Sequence, residues 1–297
     1  MDEVVAMTAM EYLSPSTLSD AVALWSVRGD DAQLLAGGTD LVVRMNRTGI
    51  RPNCLISLKK LSELKRLECG DGGLALGSLV TMSALEKSPV VQARYSALAQ
   101  ACALVGPAQN RNRATLGGNL CNASPAADTA PALIALDAQL RIVGPRGERM
   151  APVEDFFVGP GKTILGRGEI LAGIHIPDPP PRSGSAYLRC SPRKAMDISV
   201  VGVAARVVLC DDGRTFSDAR LALASVAPKP LRAHRAEGVL RRKVLSEAML
   251  RETAEVACAE ASPIDDVRGS SAHRADMIRV FVRRALQSAV DAAAGRS

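Results

Sequence analysis

The sequence predicts an α+β protein built from two successive units, and three observations carry that prediction. The chain has 297 residues, about twice the ~150 typical of one domain. Its first half alternates short apolar, strand-like runs with capped helical stretches. At 177–184 the run PDPPPRSG, with four prolines, interrupts that pattern, and beyond it a β-rich segment gives way to two amphipathic helices. The expected organisation is a unit at 5–178, a Pro-rich linker at 179–184 and a smaller unit at 185–291.

In the first unit, Ser14 to Ser26 reads as a helix, with Ser14 or Ser16 as cap and Leu18, Val22 and Trp25 on one face. Ala32 to Ala36 is an apolar strand that runs straight into Gly37-Gly38. Thr39 or Asp40 can then cap a second helix, DLVVRMNRTG, stopped by Gly49. Cys54 to Leu58 reads as a strand, and Leu74 to Gly77 follows a D-G-G turn. Thr81 or Ser83 starts a helix ending near Pro89, and Tyr95 to Val105 is Ala-rich and helical. Gly106 to Pro131 has little periodicity. Leu133 to Ala138 is helix-like, Gln139 to Val143 is a strand closed by G-P-R-G, and Ile170 to Ile176 is a strand with His175 on its exposed side. In the second unit, Ile198 to Cys210 and Ala219 to Val226 form an antiparallel hairpin across Asp211-Asp212-Gly213. Helices are expected near Leu245 to Ala259 and Ser271 to Ala294.

Composition excludes several function classes. Thirty-seven Lys and Arg against 31 Asp and Glu leave a net charge of +6 spread along the chain, enough to favour an anionic ligand or partner but with no charged tail. Aromatics make up only 3%, too few to stack bases, which argues against nucleic-acid binding. The seven Cys are scattered without a C-x-x-C, and with three His they give no metal or cluster site made by this chain alone. Such a set fits a reducing compartment. The start MDEVVAMTAMEYL is acidic where a secretory signal is basic, and the longest apolar stretch, Ile198 to Cys210, carries Arg206 and falls short of the ~20 residues of a span. A cytoplasmic protein is expected, so the triplets at Asn46 and Asn122 are not glycosylation sites.

Two glycine motifs stand out. Leu34-Leu35-Ala36-Gly37-Gly38-Thr39-Asp40-Leu41 places two glycines between a buried strand and a helix start, where backbone can approach a ligand and helix amides address an anion. Thr115-Leu116-Gly117-Gly118-Asn119 repeats the arrangement, so the pair can clasp one pyrophosphate. No G-x-G-x-x-G follows a strand, and Gly159-Pro160-Gly161-Lys162-Thr163 imitates a P-loop without its leading glycine, since Phe156 stands there. Glu154-Asp155 and Asp265-Asp266 are adjacent and diverge, and His234 and His273 sit among arginines. With no catalytic constellation, the chemistry belongs to a bound cofactor. The basic run Lys229 to Arg251 reads either as a solvated helix face or as a docking surface for an acidic partner.

LLAGGTDL, ATLGGNLCNASPAAD, EILAGIHIP and YLRCSPRKAMDISVVGVAA, in that order, resemble the FAD-binding medium subunit of molybdenum hydroxylases, the family that includes xanthine dehydrogenase, carbon monoxide dehydrogenase and 4-hydroxybenzoyl-CoA reductase. The resemblance runs from about Glu11 to Val290. It implies a two-lobed FAD-binding domain of the vanillyl-alcohol-oxidase type followed by a small α/β domain with an antiparallel sheet and helices. It implies an electron relay, a large molybdopterin subunit, a small subunit with two [2Fe-2S] clusters, and a dimer of heterotrimers. Carried over, Leu34 to Leu41 and Thr115 to Asn119 hold the pyrophosphate. Asn122 and Asp128 lie near the ribityl and phosphate region, Leu171 packs on the isoalloxazine, Val105 lines its surroundings, and Arg189 stands where the family often has Lys. After GNLC the reductase branch inserts cluster-binding cysteines; here Cys121 is followed directly by NASPAAD, so no cluster is expected in this chain. A free-standing flavin oxidase is the rival enzyme reading, but the ~110 residues after the linker are few for a substrate-covering domain.

Overall fold

A computed structural model describes residues 10–193 and 196–295, so the expected start of the first unit at residue 5 lies outside the described residues. The first sheet among the described residues is three-stranded and parallel, with Cys54–Ser57 between Glu11–Leu13 and Ala32–Leu35. Every residue of the middle strand is buried, as a strand covered on both faces must be. The first helix is Leu18–Arg28, and Thr17 rather than Ser14 or Ser16 caps it, accepting from the Asp20 amide at 3.1 Å. Pro15 disfavours helical backbone at Ser14 and so moves the start downstream. The second helix, Leu41–Thr48, ends at Gly49, whose φ of 70° is the left-handed stop a glycine provides. Asp40 occupies its N-cap position, but neither Asp40 nor Thr39 makes a side-chain cap bond.

The second lobe is a five-stranded antiparallel sheet ordered Leu67–Gly70, Gly73–Gly77, Ile170–Ile176, Gln139–Gly144, Gly147–Pro152. Its central strand is buried except at His175, which is half-exposed. Helices Met82–Lys87, Pro89–Arg94 and Ser96–Leu104 follow the second strand, the first capped by Thr81. The aperiodic stretch 106–131 proves to be three short helices: Ala108–Arg111, Leu116–Asn122 and Thr129–Ala135. The first two are too short to display a period, and the third is buried at all seven positions, so no polar face marks it. The helix expected at Leu133 to Ala138 therefore starts earlier and stops at Ala135, and Asp137 takes a φ of 53°. The P-loop imitation is the turn of a small hairpin, Phe157–Gly159 with Lys162–Thr163.

Beyond the prolines, Ser183–Cys190, Val201–Leu209, Phe216–Ala224 and Leu231–Arg232 form a four-stranded antiparallel sheet. Asp212 fixes the predicted hairpin turn by accepting from the amides of Arg214 and Thr215 at 2.9 and 2.8 Å. Helices Glu247–Glu260 and Ser271–Ala293, capped by Ser246 and Ser270, cover one face. The short helix His234–Leu240 was not anticipated. The opposite face packs on the first unit, and Tyr187, Ala204 and Ala222 share a core with Leu98 and Leu133. That double burial explains why Val201–Leu209 is nearly continuous in apolar residues.

Polar contacts knit the seam. Ser96 Oγ donates to the Ser185 carbonyl at 2.5 Å, and Gln100 Oε1 accepts from the Tyr187 amide at 2.7 Å. Asp137 pairs with Arg206, Arg220 and Arg232. Much of the basic run is spent here or within its own unit: Arg232 also pairs with Glu154 and Glu237, Arg235 with Glu260, Arg251 with Glu247. Among the described residues no helix is long and apolar enough to cross a membrane.

Candidate cofactor-binding site

A cleft of about 520 Å³ lies between the two lobes of the first unit, within the range of small-molecule sites. The parallel-sheet lobe contributes Leu34, Ala36 to Leu41 and Arg44. The other lobe contributes Val105, Thr115, Gly117 to Asn119, Asn122 and Leu171. Each glycine pair divides its work. A Cβ on Gly37 would sit 2.1 Å from the Arg113 carbonyl oxygen, and one on Gly117 would sit 2.5 Å from Ser78 Cβ and 2.7 Å from its carbonyl oxygen. The first glycine of each pair thus lets one backbone segment lie directly on another. The second faces the cleft: Gly38 at a φ of 86°, Gly118 half-exposed.

The amides of the two motifs differ. Leu116 donates to the Val80 carbonyl, Gly117 to Ser78, Gly118 to Thr115 Oγ1 and Asn119 to the Thr115 carbonyl. All four are occupied, so this short helix does not address an anion as the sequence suggested. The amides of residues 36–41 have no acceptor among the described residues. Buried or cleft-facing amides left unpaired by protein are costly unless solvent or ligand takes them, so this run is the half whose amides are available to an anion. The Thr115 motif instead supplies wall and side chains. Asn119 Oδ1 is held by Thr129 Oγ1 at 2.6 Å, and Asn122 Nδ2 donates to Asp40 Oδ1 at 3.4 Å.

Burial pushes the Asp40 carboxyl up from its ordinary value, an effect Arg44 partly offsets. Glu169 behaves oppositely: Arg149 grips it with Nε at 2.8 Å and Nη2 at 2.7 Å, the Gly166 amide adds a bond at 2.7 Å, and its pKa falls to about 2. The sign follows from linkage. A carboxyl lowered in the fold from 4.5 to about 2 contributes stability that is complete above pH 4.5 and is lost as the pH falls through 2. Urea midpoints measured from pH 6 down to pH 2 should therefore fall less steeply in Glu169→Gln than in the parent. Parallel curves would show that the clamp on this cleft wall does not form.

Four of the expected residues do not line the cleft. Leu35 and Leu116 are buried as packing side chains. Asp128 and Arg189 pair with each other at 2.9 Å, with Tyr187 Oη donating to Asp128 at 2.6 Å, behind the wall rather than in it. Trp25, Arg44, Ser78, Asn110 and Glu169 line the cleft although the sequence did not single them out for it. Trp25 offered a signal as the one Trp of an aromatic-poor chain; Glu169 offered none.

Among the described residues no group of three or more His, Cys, Asp or Glu could hold a metal, and neither His nor Lys lines the cleft. The residues present suit FAD: free amides for a pyrophosphate, apolar Leu79, Ile170 and Leu171 for a ring system, and no nucleophile–base pair.

Comparison with known proteins agrees in detail. Residues 8–179 match the family described as FAD binding domain in molybdopterin dehydrogenase, and 186–289 match the CO dehydrogenase flavoprotein C-terminal domain. The chain is 35% identical to the xanthine dehydrogenase FAD-binding subunit of Escherichia coli, over 96% of this chain and 97% of that one. It is 34% identical to the carbon monoxide dehydrogenase medium chain of Hydrogenophaga pseudoflava, over 94% and 96%. A solved structure of that organism's carbon monoxide dehydrogenase superposes with a TM-score of 0.91, at 34% identity, over 95% of this chain and 98% of that one. Quinoline 2-oxidoreductase of Pseudomonas putida gives 0.89 at 29% identity, over 96% and 98%.

Proposed function

Because this chain belongs to the family of FAD-binding subunits of molybdopterin dehydrogenases, we propose that its cleft holds FAD with the pyrophosphate on the amides of residues 36–41 and the flavin ring against Leu171. The protein is an oxidoreductase subunit that relays electrons within a multi-subunit molybdenum-dependent dehydrogenase. The Mo-pyranopterin and the [2Fe-2S] clusters belong to its large and small partner subunits. Bound FAD supplies the exchange between one- and two-electron carriers. The chain's own residues bind it, orient it and shield one face. Thr39 and Asn119 offer polar groups at either side of the cleft, and Gly38 and Gly118 keep its floor free of side chains.

The observation that carries this reading is the run of free amides at 36–41, because it is the anion-binding element that nothing else in the described fold satisfies. A dimer of heterotrimers in the cytoplasm is proposed with it; the seven cysteines, all free thiols, suit a reducing compartment. The domain limits proposed are 5–178 and 185–291, joined by 179–184.

Purification of the chain, followed by flavin absorbance and mass spectrometry of the released cofactor, tests the reading. Stoichiometric FAD without substrate turnover by the chain alone is expected. A colourless, folded chain would defeat it, and turnover of a small substrate in the absence of partners would favour a free-standing oxidase.

A further inference from the structure

FAD has two ring systems, one beyond each end of its pyrophosphate, and the cleft has two apolar patches to receive them. Val105 and Leu171 belong to the core of the antiparallel-sheet lobe. Trp25, Leu34 and Leu58 belong to a separate cluster around the helix Leu18–Arg28. Trp25 follows Leu18, Ala21 and Val22 at helical spacing, so it extends their buried face, yet it stays half-buried where it meets the cleft. Among the described residues it is the one aromatic side chain in the cleft lining. Leu34 stands just before the run of free amides, on Ala32–Leu35, which is an edge strand of its sheet. The outer backbone row of that strand therefore has no strand partner where Gln33 and Leu34 line the cleft.

We infer that Trp25 is the platform on which the adenine of FAD stacks, with the free edge of Ala32–Leu35 facing the rim of the base. This rests on the FAD reading of the cleft. With the pyrophosphate on residues 36–41 and the flavin ring against Leu171, the adenosine half is left the patch around Trp25. Adenine asks for a flat apolar surface and, at its rim, an acceptor for the amino group and a donor for N1. The indole supplies the first, and an unpaired row of backbone carbonyls and amides supplies the second. Packing alone would be served by leucine, which the neighbouring positions Leu18, Leu34 and Leu58 carry.

The test compares three ligands on the flavin-free full chain. FAD is the first; FMN has the flavin and one phosphate but no adenosine; ADP has adenine and pyrophosphate but no flavin. In the parent, ADP should change the emission of the chain's single Trp saturably. Trp25→Leu should raise the calorimetric dissociation constants of FAD and ADP by about tenfold or more and leave that of FMN unchanged. Trp25→Phe, which keeps an aromatic face, should recover most of the lost affinity. A residue that only packed the lobe would weaken all three ligands together, and one that held the flavin ring would weaken FMN along with FAD. Either result would overturn the inference, as would undiminished FAD and ADP affinity in Trp25→Leu. Should that variant fold poorly, the parent titration decides: Trp emission indifferent to millimolar ADP overturns the inference even though FAD binds. A parent chain that takes up neither FAD nor FMN would instead defeat the functional reading, and the adenine platform with it.

Discussion

Gly37→Ala should strip the purified chain of FAD. The added methyl would sit 2.1 Å from the Arg113 carbonyl oxygen, and the obstacle is backbone, which cannot rotate away as a side chain can. Overpacking of well-packed sites costs about 1–3 kcal/mol, and a fixed obstacle places this position at the upper end. Relief requires moving the 36–41 loop off the Thr115 segment, which spreads the cleft and misaims the free amides. Each ~1.4 kcal/mol lost there weakens binding about tenfold. Neighbouring glycines give a graded comparison. At Gly118 the Cβ would meet Thr115 Oγ1 at 2.8 Å, a side-chain atom, though one already holding the helix start, so Gly118→Val should also lose most FAD by filling the cleft wall. At Gly38 the nearest atoms are Leu35 Cδ1 at 3.3 Å and Val42 Cγ2 at 3.4 Å, and the main penalty for alanine is the left-handed φ of 86°, roughly 1–2 kcal/mol. The expected order of FAD-to-protein ratios after gel filtration is parent, then Gly38→Ala, then Gly37→Ala near zero. A Gly37→Ala chain with parental FAD content would show that the two lobes do not meet as described.

That graded series marks the limit of what the sequence could say about the glycines. Ala32 to Gly49 was legible because strand, glycine pair and helix stop follow one another locally. The reason Gly37 and Gly117 must be glycine was not, because Arg113 and Ser78 reach them only through the fold. The edge strands Leu67–Gly70 and Gly147–Pro152 escaped notice for a related reason: most of their residues are exposed, so no apolar alternation marks them. Leu116–Asn122 is too short to show a helical period, and its donors are satisfied by Val80 and Ser78. That these amides are already taken could not be read from residues 115–119 alone. The charges of Lys229 to Arg251 were plain in the sequence, but the partners that consume Arg232, Asp137 and Glu154, come from the other side of the prolines. Leu171, Val105 and Asn122 were placed by resemblance, and all three line the cleft.

Asp128→Ala should cost about 3–5 kcal/mol, because it strands a buried guanidinium. The Arg189 side chain is only 3% exposed; its Nη1 donates to Asp128 and to the Leu104 carbonyl, while Nε and Nη2 have no partner. Without the carboxylate, Tyr187 also loses its acceptor. The pair spans the two units and steadies Leu104, next to the cleft residue Val105. It is nevertheless not a strong net stabiliser. Burial pushes the Asp128 pKa from 3.8 to about 6, with Arg189 and Tyr187 only partly offsetting it. A carboxyl raised in the fold contributes stability that is complete below pH 3.8 and is lost as the pH rises through 6. Replacing both partners by apolar groups should then be far milder than removing one. The double variant Asp128→Ala/Arg189→Met should recover most of the loss, and a double-mutant cycle of urea midpoints at pH 7 reads the coupling directly. Additive single effects would refute the pairing. The same variant separates two roles for Asp128 and Arg189. A refolded chain that keeps FAD and an unshifted flavin spectrum makes them a clamp between the units, whereas a refolded chain that has lost FAD makes them part of its binding.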